Sequence, residues 1–534
     1  MSDLTLTNSR KRNIWVGSFF SLLLLLGLFI YRDYGISLDE SISRENGMIT
    51  LKHLVQYVAP GMLEQDFILN QYMPLEQYND RDYGIAFETP ISLIERLLHI
   101  DDEGDQIYFR HLMTFLVCFG GVIAVYQLAA RRFRDWRVGL LAALFLVLSP
   151  RLFAEAFYND KDAVFMALFA VATNTGVRFL LRPTVGRAVW HALACAVMID
   201  VRIMGIILPA LTLGFLFWSA VRGQVKWPQM LTTGMLYVVL VAGLVVAFWP
   251  FLWSAPLDNF LWAFDNMRNF RADGLILYLG TPVSSTKLPW HYPVVWVGAT
   301  TPLLYVVGFL VGVILIGITL VRQHWRLWQN EQEMQDLLFL ALAVGPVLAV
   351  IVLHSVLYDG WRQLYFIYPA FLLIAMRGWV AAWQWRPLQT GGALWSRVVL
   401  AATVLSVVTV AYQMVRDHPL QNVYFNALAG RHPEEKFEVD YWGLSFRKGL
   451  EYIVATDDRP HIAVSAPVAR WAGFSQKMLP ADTRNRLQFV DNPAEADYFI
   501  TNYRGHAYSY DYPNEVFQIR ANNMRVLSVF RLRW

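Results

Sequence analysis

The sequence predicts a polytopic α-helical membrane protein with about eleven transmembrane helices and a small C-terminal α/β domain. Of its 534 residues, 56% are hydrophobic and 16% are charged, whereas soluble domains carry about 25% charged residues. Its 20 Trp, 25 Tyr and 34 Phe residues suit a protein with two membrane–water boundaries. We therefore expect a transmembrane domain over residues 1–415 and an extracytoplasmic domain over residues 416–534.

Apolar runs that are long enough to cross a bilayer define the expected spans. They lie at residues 14–30, 109–130, 138–154, 163–181, 188–200, 203–221, 229–251, 293–320, 336–357, 364–382 and 397–415. The first follows a basic start and no small-residue cleavage site follows it, so it is expected to be an uncleaved signal anchor. The run at 188–200 is short and ends near Asp200 and Arg202. Without it, every later loop would change side and the cation pattern would be violated.

The orientation follows from cations that fall in alternate loops, because such loops are cytoplasmic by the positive-inside rule. These cations are Arg131, Arg132, Arg134, Arg137, Arg182, Arg187, Arg222, Lys226, Arg322, Arg326, Arg386 and Arg397. The N-terminus is then cytoplasmic, and the 32–108 loop, the 252–292 loop and the C-terminal tail lie outside the inner membrane.

The first outer loop is expected to contain two amphipathic helices along the interface. Apolar residues recur at helical spacing from Ile42 to Val58. A second helix begins at Pro90, where Thr89 can cap it and where Ile91 and Ile94 start an apolar stripe. The loop is therefore an ordered part of the protein.

The tail after about residue 440 loses transmembrane character and predicts a small α/β domain. A helix is expected at 445–455, followed by strands at 461–466, 487–490 and 498–502 and a hairpin that pairs 515–521 with 524–532. Asn522 and Asn523 suit its two-residue turn, because Asn tolerates positive φ.

Several classes of protein are disfavoured. The net charge of +3 comes from scattered cations, so nucleic acid is not an expected partner. Cys118 and Cys195 are the only cysteines and lie in apolar runs, which indicates neither a disulfide framework nor a Cys-based zinc site. The sequence shows no internal repeat, which disfavours a secondary transporter because those folds often have duplicated halves.

Two acidic groups occur at predicted outer boundaries. Asp39 and Glu40 follow the first span, where a partly desolvated carboxylate can act as a base. A solvated acidic cap of the next helix is the alternative. The outer loop after the third span contains Asn159, Asp160, Lys161 and Asp162. Here Lys161 can bind a lipid phosphate while the other polar side chains bind sugar or acceptor hydroxyls. The alternative is a simple turn with an ion pair.

Two arginines and an aromatic segment complete the candidate site. Arg202 and Arg362 lie on the outer side against the cation rule, and guanidinium groups match phosphate oxygens, although both can also snorkel to headgroups. His291 can donate to a phosphate and Trp290 can contact a sugar, but an aromatic interface belt has the same pattern.

These groups supply a base and several cations, the minimum for single-displacement sugar transfer from a phosphate-linked lipid. A carboxylate would take the proton of the acceptor hydroxyl while the cations stabilise the leaving phosphate. Inversion at the anomeric carbon is the expected result.

Several motifs resemble the GT-C superfamily of membrane glycosyltransferases. Within it, the chain is similar to bacterial relatives of the dolichyl-phosphate-mannose protein mannosyltransferases and of the lipid A aminoarabinose transferase. The motifs are Asp39–Glu40, Phe157–Asp162, Leu288–Pro293, Asp359–Arg362, Tyr365–Pro369, His418–Asn426 and Asp440–Ser445. The resemblance implies that Asp39 is the catalytic base, with Glu40 beside it, and that a polyprenyl-phosphate pocket lies among the outer ends of the spans.

The resemblance leaves metal use open, because relatives often have Asn-Pro-Lys-Asp where this chain has Asn159-Asp160-Lys161-Asp162. This Asp-x-Asp spacing is also similar to the acidic motif of metal-dependent oligosaccharyltransferases. Lys161 would oppose a second positive charge there. We therefore expect no essential metal and no other cofactor.

Two other functions remain open at this stage. A lipid-linked glycan flippase or other transporter shares the spans, but it needs polar residues along a central path. An oligosaccharide ligase or polymerase uses the same chemistry with a diphosphate-linked donor. The expected partners are a polyprenyl-phosphate-sugar donor, a glycan, lipid or protein acceptor, and membrane lipids, with a hexose on undecaprenyl phosphate as the default donor.

Overall fold

A computed structural model describes residues 2–63, 66–268, 274–385, 392–506 and 508–533. Within these residues, nine helices are long and apolar enough to cross a membrane. They are Arg10–Ile30, Glu103–Phe133, Asp162–Leu181, Ile203–Val221, Trp227–Phe248, Leu303–Arg322, Glu331–Leu353, Arg362–Gln384 and Leu394–Arg416. The chain is an integral membrane protein. Arg386, one of the cations that predicted the orientation, lies outside the described residues.

Three predicted spans differ from straight crossings. The 138–154 span is a bent pair, Trp136–Val147 and Pro150–Tyr158, with an angle of 71° between its halves. Proline accounts for the break, because Pro150 lacks an N–H and disfavours helical geometry at the preceding residue. The 188–200 span is a 15-residue helix, Val185–Ile199, and the 293–320 span is divided into Tyr292–Thr300 and Leu303–Arg322. Nine helices and the bent pair give up to ten spans in the described part of the chain.

Close helix packing fixes the span that begins at Arg362. A Cβ atom on Gly378 would lie 2.0 Å from the Gly308 carbonyl oxygen, so the backbones of these two helices meet where neither carries a side chain. Small residues at such a crossing allow van der Waals packing that larger ones prevent. This crossing holds the Arg362–Gln384 helix directly against the Leu303–Arg322 helix.

The first outer loop contains both predicted helices, Leu38–Val58 and Glu88–Leu97, with short turns Pro60–Leu63 and Phe67–Asn70 between them. The second helix begins at Glu88, two residues before Pro90, because proline is tolerated in a first helical turn. It turns its polar face inward. Glu95 and Ile91 are 1% and 5% exposed, whereas Leu97 is 65% exposed, so only the later part of the apolar stripe faces outward, as expected for a helix at the interface.

Other outer segments add elements that the sequence did not predict. The 252–292 loop contains the helix Pro256–Arg268 and a hairpin of strands β1 (Leu275–Tyr278) and β2 (Thr281–Ser284). The tail contains the predicted helix Phe446–Thr456 together with the helices Ala469–Gln476 and Ala481–Arg484.

The C-terminal tail contains the predicted α/β sheet. Its strands are β3 (Ile462–Ser465), β4 (Leu487–Phe489), β5 (Tyr498–Thr501), β6 (Glu515–Ala521) and β7 (Met524–Arg531). The order is β4-β3-β5-β7-β6, with β3 parallel to β4 and β5 and the other pairs antiparallel. Asn522 and Asn523 have φ values of 49° and 63°, which confirms the predicted turn.

The sheet unit packs on the outer loops through polar contacts. Arg447 donates to the Tyr34 carbonyl at 2.8 Å, and Arg484 pairs with Asp102 at 2.9 Å. The last spanning helix ends at Arg416, next to the predicted domain limit. The division at residue 416 stays a prediction.

Candidate active site

Asp39 lies in the first turn of the Leu38–Val58 helix, and its side chain is 20% exposed. Its Oδ2 atom is 2.9 Å from Nη1 of Arg362. Burial opposes ionisation of this carboxyl, but Arg362, Lys161 and Arg202 outweigh it and hold the pKa of Asp39 below its usual value. Three predicted cations thus act on the predicted base.

Arg362 connects three carboxylates and is only 3% exposed. Besides Asp39, its Nη1 donates to Asp162 Oδ2 at 3.0 Å, and its Nη2 is 4.0 Å from Asp359. The guanidinium lies over the rings of Tyr358 and Trp442, 4.7 and 4.6 Å from their centroids. Aromatic faces stabilise a buried cation, so the position of this group is fixed from several sides.

Asp162 holds a second guanidinium. Its Oδ1 atom is 2.5 Å from Nη2 of Arg202, and its side chain is 1% exposed. Asn159 orients it, because the amide oxygen of Asn159 accepts the Asp162 backbone N–H at 2.7 Å and the amide nitrogen donates to Asp162 at 3.4 Å. One buried carboxylate therefore brings both predicted phosphate-binding arginines together.

Lys161 and Asp160, between Asn159 and Asp162, face the first outer loop. Lys161 Nζ lies 4.5 Å from the ring centroid of Tyr83, while Ser43 donates to Asp160 at 3.0 Å. Burial, with Glu88 and Glu40 nearby, raises the pKa of Asp160 well above its usual value, although Lys161 and Arg110 oppose this.

Glu40 does not share the contacts of Asp39, because adjacent residues of a helix face different directions. It accepts the Ser37 backbone N–H at 2.6 Å and lies 2.8 Å from Nε2 of His111. These contacts match the predicted alternative of an acidic cap, but Glu40 is buried, not solvated. Its role in catalysis stays a prediction.

His291 and Trp290 are not joined to this cluster by any hydrogen bond or ion pair among the described residues. Nδ1 of His291 is 2.6 Å from the hydroxyl of Tyr278, on strand β1. Trp290 is 68% exposed. Their predicted contacts with phosphate and sugar therefore stay predictions.

A second polar network supports the site, and the sequence interpretation did not assign it. Glu155 accepts hydrogen bonds from Asn159 at 2.6 Å, from Tyr365 at 2.7 Å and from Tyr441 at 3.0 Å. An ionisable residue at membrane depth is itself a signal of function or pairing. Glu155 could have been found by that signal, whereas its tyrosine partners are distant in sequence.

The C-terminal segment closes over the outer side of the cluster. Arg504 pairs with Asp359 at 2.8 Å and lies 4.2 Å from the ring centroid of Trp471. Asp359 was part of a predicted motif, but the partnership with Arg504 had no sequence signal. The described residues contain no group of three His, Cys, Asp or Glu side chains arranged to hold a metal ion, and the expectation about metals stays a prediction.

Residues 93–253 match the sequence model of a family described as dolichyl-phosphate-mannose-protein mannosyltransferase. This match confirms the predicted resemblance. The matched segment includes Asn159, Asp162 and Arg202 of the cluster, while Asp39 and Arg362 lie outside it. No curated protein matches the chain.

Solved structures of two proteins are similar to this chain at low sequence identity. ArnT from Cupriavidus metallidurans in the apo state is 13% identical, with 96% of this chain and 97% of that chain covered and a TM-score of 0.48. The structure of the same ArnT bound to undecaprenyl phosphate is 13% identical, with 97% of this chain and 98% of that chain covered and a TM-score of 0.45. The oligosaccharyltransferase AglB from Archaeoglobus fulgidus, in complex with an inhibitory peptide and a dolichol-phosphate, is 10% identical. The match covers 91% of this chain and 70% of that chain, with a TM-score of 0.47.

Proposed function

We propose that the protein is an inverting glycosyltransferase that moves a sugar from a polyprenyl-phosphate lipid to an acceptor outside the inner membrane. The observation that carries the proposal is the contact of Asp39 with Arg362 at 2.9 Å, next to Arg202, which Asp162 joins to the same arginine. A base next to several cations suits the transfer of a sugar away from a phosphate. The match of residues 93–253 to the mannosyltransferase family supports it.

In the proposed reaction, the acceptor hydroxyl oxygen attacks the anomeric carbon of the donor sugar. Asp39 accepts the hydroxyl proton as this bond forms. The bond between the anomeric carbon and the phosphate oxygen breaks, and its electron pair leaves with the polyprenyl phosphate. Arg362, Arg202 and Lys161 stabilise the charge on that phosphate, so the leaving group needs no proton.

The acceptor is a cell-envelope glycan, lipid A or a protein. It approaches from the expected extracytoplasmic face, to which Asp39 in the first outer loop belongs. We assign no cofactor to the reaction.

The test incubates purified full-length protein with a panel of polyprenyl-phosphate sugars and measures release of polyprenyl phosphate. The native chain should consume at least one donor, and Asp39→Asn should lower its rate by roughly 100-fold or more. Asp105→Asn is the matched control, because Asp105 is exposed on the same side and lies outside the cluster. Transport of lipid across a bilayer without any donor consumption would instead favour a flippase.

A further inference from the structure

Asp39 and Asp162 bind the same atom of Arg362 in very different settings. Asp162 is 1% exposed and contacts Arg202 through one oxygen and Arg362 through the other. Its carboxylate accepts a hydrogen bond from the Asn159 amide nitrogen, and its backbone N–H donates to the Asn159 amide oxygen. Asp39 is 20% exposed and contacts Arg362 through Oδ2 at 2.9 Å. Asp162 is therefore held on every side, whereas Asp39 is accessible to an exchanging group.

Arg362 already contacts three carboxylates, Asp39, Asp162 and Asp359. Asp359 is also paired with Arg504. An additional anion on the Arg362 guanidinium would be repelled by the carboxylates already there, and that repulsion falls when one of them leaves. Of the two carboxylates within hydrogen-bond distance of Arg362, Asp39 has the fewer contacts to lose.

Both guanidiniums retain unused hydrogen-bond donors. Nε of Arg362 and Nε of Arg202 are buried and have no hydrogen-bond partner among the described residues. Buried donors of this kind normally have partners. A phosphate, with its several oxygen acceptors, has the chemistry to fill them.

We propose that Asp162 is the positioning residue that holds Arg202 and Arg362 as one phosphate clamp, and that Asp39 occupies the phosphate's place on Arg362 until the donor binds. This inference rests on the proposed function. Donor binding then frees the base at the moment when it is needed. A donor-free enzyme keeps Asp39 paired with Arg362 and unavailable to an acceptor.

The test measures the affinity of full-length protein for citronellyl phosphate, a short polyprenyl phosphate, with citronellol and inorganic phosphate as parallel probes. Asp39→Asn should bind citronellyl phosphate more tightly, on the order of tenfold, because it removes a competing charge from Arg362. Asp162→Asn should bind it on the order of tenfold more weakly, because it frees both arginines from their common support. Asp105→Asn should match the native protein.

Opposite effects at two aspartates on one arginine are not expected from a general loss of structure. If Asp162→Asn does not fold, Asn159→Ala tests the same support and should bind several-fold more weakly. Unchanged or weaker binding by Asp39→Asn would overturn the inference and leave the proposed function standing. Absence of binding by the native protein would instead count against the proposed function. If inorganic phosphate binds as tightly as citronellyl phosphate, the clamp recognises the phosphate group alone. If inorganic phosphate binds more weakly, the lipid chain contributes to the affinity.

Discussion

The Oδ2 atom of Asp39 lies 2.9 Å from Nη1 of Arg362, although 323 positions separate the two residues. This contact joins the first helix of the outer loop to the outer end of a spanning helix near the other end of the membrane region. It places a carboxylate and a buried cation at one rim of the protein. Any chemistry at this rim depends on both parts of the chain.

Replacement of Arg362 by lysine should reduce donor consumption even though the charge is kept. Lysine cannot span Asp39, Asp162 and a phosphate together, because it lacks the planar fork of guanidinium. We expect kcat/KM to fall by roughly 10- to 100-fold. Arg322→Lys, at an exposed helix end, is the control. Native activity in Arg362→Lys would contradict the role of the fork.

Replacement of Asp160 by asparagine should stabilise the protein at neutral pH. The pKa of Asp160 is raised in the folded state, so the fold retains a proton that the unfolded chain releases above about pH 4. The native protein therefore loses stability as pH rises from that value towards the folded pKa, by about 1.4 kcal/mol per unit. Asparagine avoids this loss and can still accept from Ser43.

Thermal unfolding of the native protein and Asp160→Asn at several pH values checks this expectation. The stabilisation should be small near pH 4 and should grow as pH rises. A stabilisation that shrinks with rising pH would show that Asp160 is ionised in the fold.

Removal of divalent metal should leave activity unchanged. Lys161 separates Asp160 from Asp162, and both arginines already neutralise Asp162, so a divalent cation would face nearby positive charge. The rate of donor consumption before and after treatment with a chelator should be equal within the error of the assay. Loss of activity that added Mg²⁺ or Mn²⁺ restores would refute this expectation.

The predicted orientation can be tested with introduced cysteines, since the native Cys118 and Cys195 are buried. A membrane-impermeant maleimide should label Lys448→Cys in intact cells, because the C-terminal sheet is expected outside. Lys226→Cys should be labelled only after permeabilisation. The reverse pattern would invert the orientation and move the site to the cytoplasmic face.

Local patterns in the sequence predicted most helices and strands, but not where a span bends or which face of a helix is buried. The Asn522–Asn523 turn predicted the closing hairpin, which forms as expected. The span near Pro150 was predicted without its bend, because hydropathy measures length and polarity but not direction. The Glu88–Leu97 helix has the expected amphipathic pattern, but only the buried Arg110 and the half-buried Arg44 explain why its acidic face turns inward.

The candidate site likewise contains residues that the sequence predicted and residues that only the folded structure revealed. Arg202 and Arg362 were identified because a cation on the outer side at membrane level is costly, and Asp39 and Asp162 because they are carboxylates at predicted outer boundaries. His291 was named because an imidazole can donate to a phosphate, yet its Nδ1 lies 2.6 Å from the hydroxyl of Tyr278. Glu155 was not identified, since its role depends on Tyr365 and Tyr441, which approach it only when the spans pack.

The sequence by itself determined that this chain enters a membrane, where the apolar runs lie and which charged residues fall at their outer ends. These properties follow from local composition, because the bilayer acts on each segment separately. Tertiary structure alone decided that one arginine meets Asp39 and Asp162 and that Glu40 turns towards His111. Such pairings depend on helix crossings and on chain breaks at proline and glycine, which bring together residues that share no local pattern.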